Sequence, residues 1–239
     1  MNVGVIFAGG VGRRMNNKAT PKQFLQLNGK PIIIYTLEVF QNCPEVDAIC
    51  IASLASHIDY LKELCSKFGI TKVKWIVPGG ATSMESTFNA LDAVYADCPR
   101  DTVVMIHDGV RPIISAELLQ ANIRCVREYG SAISCAWATE TPALVGEDGE
   151  IVSVAERKLS VIAKAPQSFF LGEIHDMHIR CQEQNLADFI DSASMMRYFG
   201  KKLHMVECAW DNIKITNPSD YYIFKAIVEA RENSRIFGL

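Results

Sequence analysis

The 239-residue sequence has no excess of positive charge: 24 Lys and Arg stand against 27 Asp and Glu, a formal net charge of −3. Non-specific attraction to nucleic acid or to an anionic membrane needs the opposite balance, so neither is expected as a partner. No apolar run approaches the length that crosses a bilayer. The first residues show no basic segment ahead of a long apolar core, so no signal peptide is expected. The eight cysteines include no C-x-x-C pair, which argues against a zinc site and a disulfide scaffold. Read as small buried hydrophobes, they imply a reducing, cytoplasmic setting. Low-complexity tracts, repeats and Gly/Pro/Ser-rich linkers are also missing, so the length reads as one domain.

What is present is alternation. The runs "VGVIF", "AICIAS", "VKWIV" and "TVVMIHD" are continuous apolar strands. Between them lie helical patterns: "PIIIYTLEVFQ" with Pro31 at its start, "HIDYLKELCSKFG" ending at Gly69, "SMESTFNALDAVYADC", and a stretch from about Ser115 to Tyr129. This order predicts an α/β three-layer sandwich with a mostly parallel, Rossmann-like sheet. After "SAISCAWA" the pattern breaks. Residues 139–159 are polar and punctuated, with "GEDGE" as a hairpin turn, and read as a projecting β-arm. The chain returns through "SVIAKAPQSFF", a helix near Gly172 to Glu183, a strand "LHMVECAW" and a last helix from Asn217 to about Glu232.

The densest local cluster of positive charge follows the first strand, in "AGGVGRRMNNKATPKQFL". Glycines in that loop let backbone N–H groups approach an anion without an intervening Cβ. A P-loop requires G-x-x-x-x-G-K-[ST], which nothing after Gly12 supplies. A dinucleotide fingerprint requires a third glycine where Met15 stands. Charges and glycines together suit a triphosphate, whose developing negative charge must be neutralised during transfer.

The combination of "AGGVGRRM" and "PKQFL" with Gly79, Gly80 and Ser86, "HDGVRP", "APQSF", "DSAS" and "DNIKIT" resembles the cytidylyltransferases that activate methylerythritol phosphate or ribitol phosphate. The resemblance implies attack of a polyol phosphate on the α-phosphorus of CTP, with Mg²⁺ and release of pyrophosphate. It implies that Arg14, Lys22 and Lys214 act on the reacting phosphates. Asp108 would hold Mg²⁺ or a ribose hydroxyl, and Arg111 would contact the acceptor. Ala8, Gly9, Gly10, Gly12, Gly79, Gly80, Ala81 and Ser86 would hold the nucleotide. It further implies a homodimer in which the arm crosses a two-fold axis, bringing Thr141 and Arg157 to the partner's acceptor site. On the residues alone, Lys214 between Ile213 and Ile215 in a strand-like run could equally be a solvated outward side chain.

Three positions depart from the family pattern. Ala165 and Ile190 stand where threonines are usual, and Ser83 where an arginine is. "AGG", the longer gap between Arg14 and Pro21, and Val110 resemble the ribitol-phosphate branch more closely, which implies ribitol 5-phosphate as acceptor, with methylerythritol phosphate second and another polyol phosphate third. The alternatives are a sugar-nucleotide enzyme using UTP or GTP, a non-catalytic homologue, and a dehydrogenase.

Overall fold

The computed structural model describes residues 1–10, 20–186 and 189–237. In chain order, β1 (Asn2–Ala8) is followed by a short antiparallel pair, β2 (Gln26–Leu27) and β3 (Lys30–Pro31), then α1 (Ile32–Asn42), β4 (Ala48–Ser53) and α2 (Ile58–Lys67). Next come β5 (Val73–Pro78), α3 (Ser83–Asp97), β6 (Val103–Asp108), α4 (Ala116–Tyr129) and β7 (Ser131–Trp137). The hairpin β8 (Ala143–Val145) and β9 (Ile151–Val154) precedes β10 (Val161–Phe170), α5 (Leu171–Glu183), α6 (Ser192–Tyr198), β11 (Met205–Glu207) and α7 (Pro218–Phe237).

Seven strands form one sheet in the order β11-β7-β10-β6-β1-β4-β5. β1 pairs in parallel with both β4 and β6, and β10 runs against its neighbours β6 and β7. All six residues of β4 and of β6 are buried, as continuous apolar runs in a doubly covered sheet should be. On one face Ile6, Ile49, Ile51 and Met105 pack against α1, α2 and α4 through Leu37, Phe40, Leu61, Leu119 and Val126. On the other, Val5, Cys50, Val104 and Ile106 pack against α3, α5 and α6 through Leu91, Val94, Ile174, Met177 and Met195. This is the expected three-layer sandwich.

Helix boundaries follow local chemistry. Ser115 caps α4 by accepting from the Leu118 N–H, and Gly130 ends that helix at φ +85°. Asp191 and Ser194 form a reciprocal capping box at α6. That short helix is not apparent from periodicity, because "SASMMRY" spans under two turns. Three expectations are corrected. The strand in "LHMVECAW" is only Met205–Glu207, and the last helix extends to Phe237. "DNIKIT" is irregular chain and not a strand, since its backbone groups bond to loops: the Ile215 N–H donates to the Val110 carbonyl at 2.9 Å.

The order of connections reverses beside β1: the chain moves from β1 out to β4 and β5, then crosses back to β6. The tips of β1 and β6 therefore flank a topological switch point, where open α/β sheets bind ligands. Because β10 is antiparallel, its first half lies at the same end of the sheet, with Gln167 opposite Ile106. No helix among the described residues is long and apolar enough to cross a membrane.

Two core histidines give the fold a pH signature. Burial pushes His107 and His178 down to about 4, so both are neutral in the folded protein well below the ordinary histidine range. The unfolded chain binds protons at these sites from about pH 6.5 downward. Stability is therefore full above that pH and declines as pH falls toward 4, by roughly 3 kcal/mol per histidine across the window. Thermal unfolding at a series of pH values should show this decline, and His178→Leu should remove about half of the histidine contribution. A midpoint unchanged between pH 7.5 and pH 4.5 would contradict it.

Candidate active site

The site is built at the tips of β1, β5 and β6. The amide of buried Gln23 donates to the Ala8 carbonyl at 2.6 Å, fixing the end of β1 where the glycine loop leaves it. Beside it, the loop after β5 is held by Ser86, whose Oγ accepts from the Gly80 N–H (3.0 Å) and donates to the Thr82 carbonyl (2.9 Å). A Cβ on Gly80 would lie 2.3 Å from the Cβ of Glu85, so this turn admits only glycine there. The Glu85 carboxylate accepts from the Ala81 N–H at 2.7 Å, and Thr82 caps α3. The N–H groups of Gly80 and Ala81 are thus engaged within their own loop, which leaves carbonyl oxygens as the backbone polar groups these residues can offer a ligand. Ser86 holds that loop in place. A Cβ on Gly79 would come within 3.7 Å of the Gly9 Cα, so the two glycine loops meet backbone to backbone.

Asp108 ends β6 and is almost fully buried. Burial alone would raise its pKa, but the Lys214 ammonium and the Arg111 guanidinium outweigh it and hold the carboxyl below its ordinary range. Lys214 Nζ lies 2.5 Å from Asp108 Oδ1, and Arg111 Nε 3.2 Å from Oδ2. Arg111 also donates to the Asn212 carbonyl at 2.8 Å, and Asn212 donates to the Ala165 carbonyl at 2.8 Å. Lys22 Nζ donates to the Ile215 carbonyl at 3.0 Å. Hence the irregular segment 211–216 is tied to the turn beyond β6, to the middle of β10 and to the "PKQFL" turn. Ile215 is fully buried with Leu27, Val110, Ile113 and Phe224, which leaves its neighbour Lys214 directed at Asp108 and 5.6 Å from the centre of the Phe7 ring. The turn beyond Asp108 is closed by His107, whose Nε2 lies 3.0 Å from the Arg111 carbonyl.

Two clefts meet at this knot. The first, about 310 Å³, is lined by Ala8, Gly10, Lys22, Asp108 and Lys214 among others. The second, about 190 Å³, shares Phe7, Ser83, Asp108 and Lys214 with it and continues past Arg111 to Lys164, Ala165, Ile190 and Asp191. The fold thus gathers Ala8, Gly10, Lys22, Asp108, Arg111 and Lys214, with Gly9 and the Gly79–Ser86 loop adjacent. Thr141 and Arg157 line neither cleft; both are exposed on the arm, where the Arg157 guanidinium reaches the Thr139 carbonyl at 3.5 Å. Gly12 and Arg14 lie outside the described residues.

Some members of the site escape a reading of the sequence. Gln23 acts through a single bond to a carbonyl, and only its place beside Lys22 hints at it. Lys164 is an isolated lysine inside an apolar strand, an anomaly visible in "VIAKAPQ". Gln167 and Asp191 are bonded to each other at 2.7 Å, from segments distant in the chain.

The family model for IspD, 2-C-methyl-D-erythritol 4-phosphate cytidylyltransferase, matches residues 2–230. A ribitol-5-phosphate cytidylyltransferase of Streptococcus agalactiae serotype III (strain NEM316) is 47% identical over 100% of both chains. A 2-C-methyl-D-erythritol 4-phosphate cytidylyltransferase of Clostridium botulinum (strain Loch Maree / Type A3) is 35% identical over 94% of this chain and 96% of the relative. The crystal structure of 4-diphosphocytidyl-2C-methyl-D-erythritol synthase from Anaerococcus prevotii superposes with a TM-score of 0.82 at 24% identity, covering 95% of this chain and 96% of the other, and shares the fold. With a family match spanning nearly every residue and the family's motifs gathered at one end of the sheet, the chain belongs to the IspD family of cytidylyltransferases.

Proposed function

We propose that this enzyme transfers CMP from CTP to D-ribitol 5-phosphate, forming CDP-ribitol and releasing pyrophosphate. The observation that carries the reading is the meeting of two clefts at one charged knot, Asp108 with Lys214 and Arg111. One cleft suits a nucleotide and the other an acceptor, and their common wall is where the reacting phosphates belong. The identity of the acceptor draws its support from the relative at 47% identity, against 35% for the methylerythritol phosphate enzyme.

In this reading a phosphate oxygen of ribitol 5-phosphate attacks the α-phosphorus of CTP. A new P–O bond forms as the bond from Pα to the bridging oxygen of the β-phosphate breaks, and its electron pair leaves with pyrophosphate. No protein nucleophile takes part, so catalysis consists of alignment and charge neutralisation. Lys22 and Lys214 face the triphosphate cleft, and Arg14 acts with them. The two glycine loops take the cytosine, with Ser86 keeping the second in position. Arg111 borders the acceptor cleft.

Mg²⁺ would suit this site as a counter-ion to substrate phosphate. Among the described residues no group of three or more His, Cys, Asp or Glu could hold a metal, whereas Asp108 offers one carboxylate at the cleft floor. One carboxylate with substrate phosphates is a normal Mg²⁺ environment, and the ion would neutralise phosphate charge there.

The arm fits a homodimer with exchanged arms. Leu144, Val145, Ile151, Val152 and Val154 are all more than 60% exposed, and a lone two-stranded hairpin is marginal in water. Covering these side chains with a second copy would also bring Thr141 and Arg157 to the partner's acceptor cleft. A substrate pair of diffusible phosphates fits a cytoplasmic enzyme.

Pyrophosphate release from CTP and Mg²⁺ should be fastest with ribitol 5-phosphate in a panel that includes methylerythritol phosphate and other polyol phosphates; a clear preference for another acceptor would overturn the assignment. Lys22→Ala should lower kcat by about a hundredfold or more with the fold retained. Arg157→Ala should raise the acceptor KM more than the CTP KM. Mixing equal amounts of those two variants under subunit exchange should restore about a quarter of wild-type activity, because half the dimers are hybrids with one intact site. Hybrid dimers without recovered activity would rule out the shared site.

A further inference from the structure

We infer that Lys164 is a specificity-determining residue, donating hydrogen bonds to the carbinol hydroxyls of a polyol phosphate acceptor. The inference rests on the reading of the second cleft as the acceptor site.

The second cleft extends from Asp108 and Lys214, past Arg111, to a wall formed by Lys164, Ala165, Ile190 and Asp191. A polyol phosphate that presents its phosphate at the Asp108 end extends its hydroxylated chain toward that wall. The wall must satisfy hydroxyls, yet most of its groups have nothing to give. Ala165 and Ile190 carry no side-chain donor or acceptor. Gln167 is committed: its amide nitrogen donates to Asp191 (2.7 Å) and its amide oxygen accepts from the Ala193 N–H (2.9 Å). The Asp191 carboxylate is shared between Gln167 and the Ser194 N–H, which it caps at 2.8 Å. It can accept further bonds but cannot donate.

Lys164 is the wall's one cationic donor, beside the neutral hydroxyl of Ser192. The residue is buried, at 8% exposure, where the pairing of β10 with β7 is interrupted between Ala163 and Gln167. Its ammonium donates to the Trp210 carbonyl at 2.8 Å and lies 4.7 Å from the centre of the Trp210 ring. An ammonium has three N–H donors, and the backbone carbonyl takes one. No carboxylate among the described residues forms an ion pair with it; burial is the strongest influence on its pKa and pushes it down. Asp211 favours the charge only from beyond ion-pair distance, and a buried cation without a carboxylate in contact is costly unless its remaining donors find acceptors. Oxygens of a polyol chain supply them, and Asp191 on the same wall accepts the protons those hydroxyls donate. The carbonyl and the indole ring of Trp210 hold the ammonium in place before substrate arrives, so the site is preorganised.

Chain length is the variable that isolates this contact. An acceptor with several carbinols beyond the phosphate reaches Lys164, and one with few does not. Kinetics of wild type, Lys164→Met and Lys164→Gln would be compared with ribitol 5-phosphate, erythritol 4-phosphate and glycerol 3-phosphate at saturating CTP, and with CTP varied at fixed acceptor. For Lys164→Met, kcat/KM with ribitol 5-phosphate should fall by about tenfold or more, chiefly through KM, because a donor to a substrate hydroxyl is lost. Turnover of glycerol 3-phosphate and the KM for CTP should change less than about twofold, so the preference for the longer acceptor collapses. Lys164→Gln, which keeps a donor, should recover part of the preference. An equal loss with all three acceptors, or an unchanged preference in a variant that still binds CTP, would overturn the proposal. If Lys164→Met does not fold, Lys164→Gln answers the same question against wild type: a narrowed length preference supports the contact, and an unchanged one refutes it. If wild type ignores ribitol 5-phosphate but turns over another polyol phosphate, the acceptor assignment fails, and the Lys164 comparison is decided with that acceptor and its shorter homologue.

Discussion

The architecture of the site depends on one buried carboxylate. Asp108 closes β6 at the switch point of the sheet and is flanked by two cations from different parts of the chain, Arg111 one turn on and Lys214 from the far C-terminal third. Asp108 and Arg111 are buried and would be costly there unpaired, whereas the Lys214 side chain is 40% exposed and keeps part of its hydration. Removing the Asp108 carboxylate would cost about 3–5 kcal/mol, since the buried Arg111 guanidinium would lose its counter-charge. The mutual neutralisation also organises backbone: Arg111 holds the Asn212 carbonyl, Asn212 holds Ala165, and Lys22 holds Ile215. Segment 211–216 has no secondary structure of its own and is positioned by these bonds.

This arrangement gives the site its chemistry. A cluster of cations at a cleft floor binds phosphates, but in the absence of ligand the cations repel one another. Asp108 absorbs that repulsion. In the proposed reaction, substrate phosphates would give Lys214 a second anion to serve, and Asp108 would then be free to hold a cation such as Mg²⁺. The proposed catalysis by alignment and neutralisation would need charges already in place, as they are in the knot.

The sheet and helices are largely legible in the sequence, because their signals are local. Continuous apolar strands, amphipathic helices, Ser115 as a cap and Gly130 as a stop each act within a few residues. The candidate residues Lys22, Asp108, Arg111 and Lys214 are recognisable as a set only through their motifs; nothing in their spacing places Lys214 against Asp108 across more than a hundred residues. The irregular course of "DNIKIT" is hidden for the same reason. Its apolar–polar alternation imitates a strand, while the bonds that decide its path come from Val110, Arg111 and Lys22. Gln23 and Lys164 are polar residues whose roles depend on carbonyls elsewhere in the fold, at Ala8 and Trp210, and such partners leave no periodic trace.

The most direct measurement is a crystal structure of the protein with CTP and Mg²⁺. It should show the triphosphate in the cleft between Lys22 and Lys214, with the Lys214 ammonium moved from Asp108 onto phosphate oxygen and cytosine between the two glycine loops. A nucleotide bound elsewhere, with the Lys214–Asp108 pair intact and Lys22 still on the Ile215 carbonyl, would contradict the account.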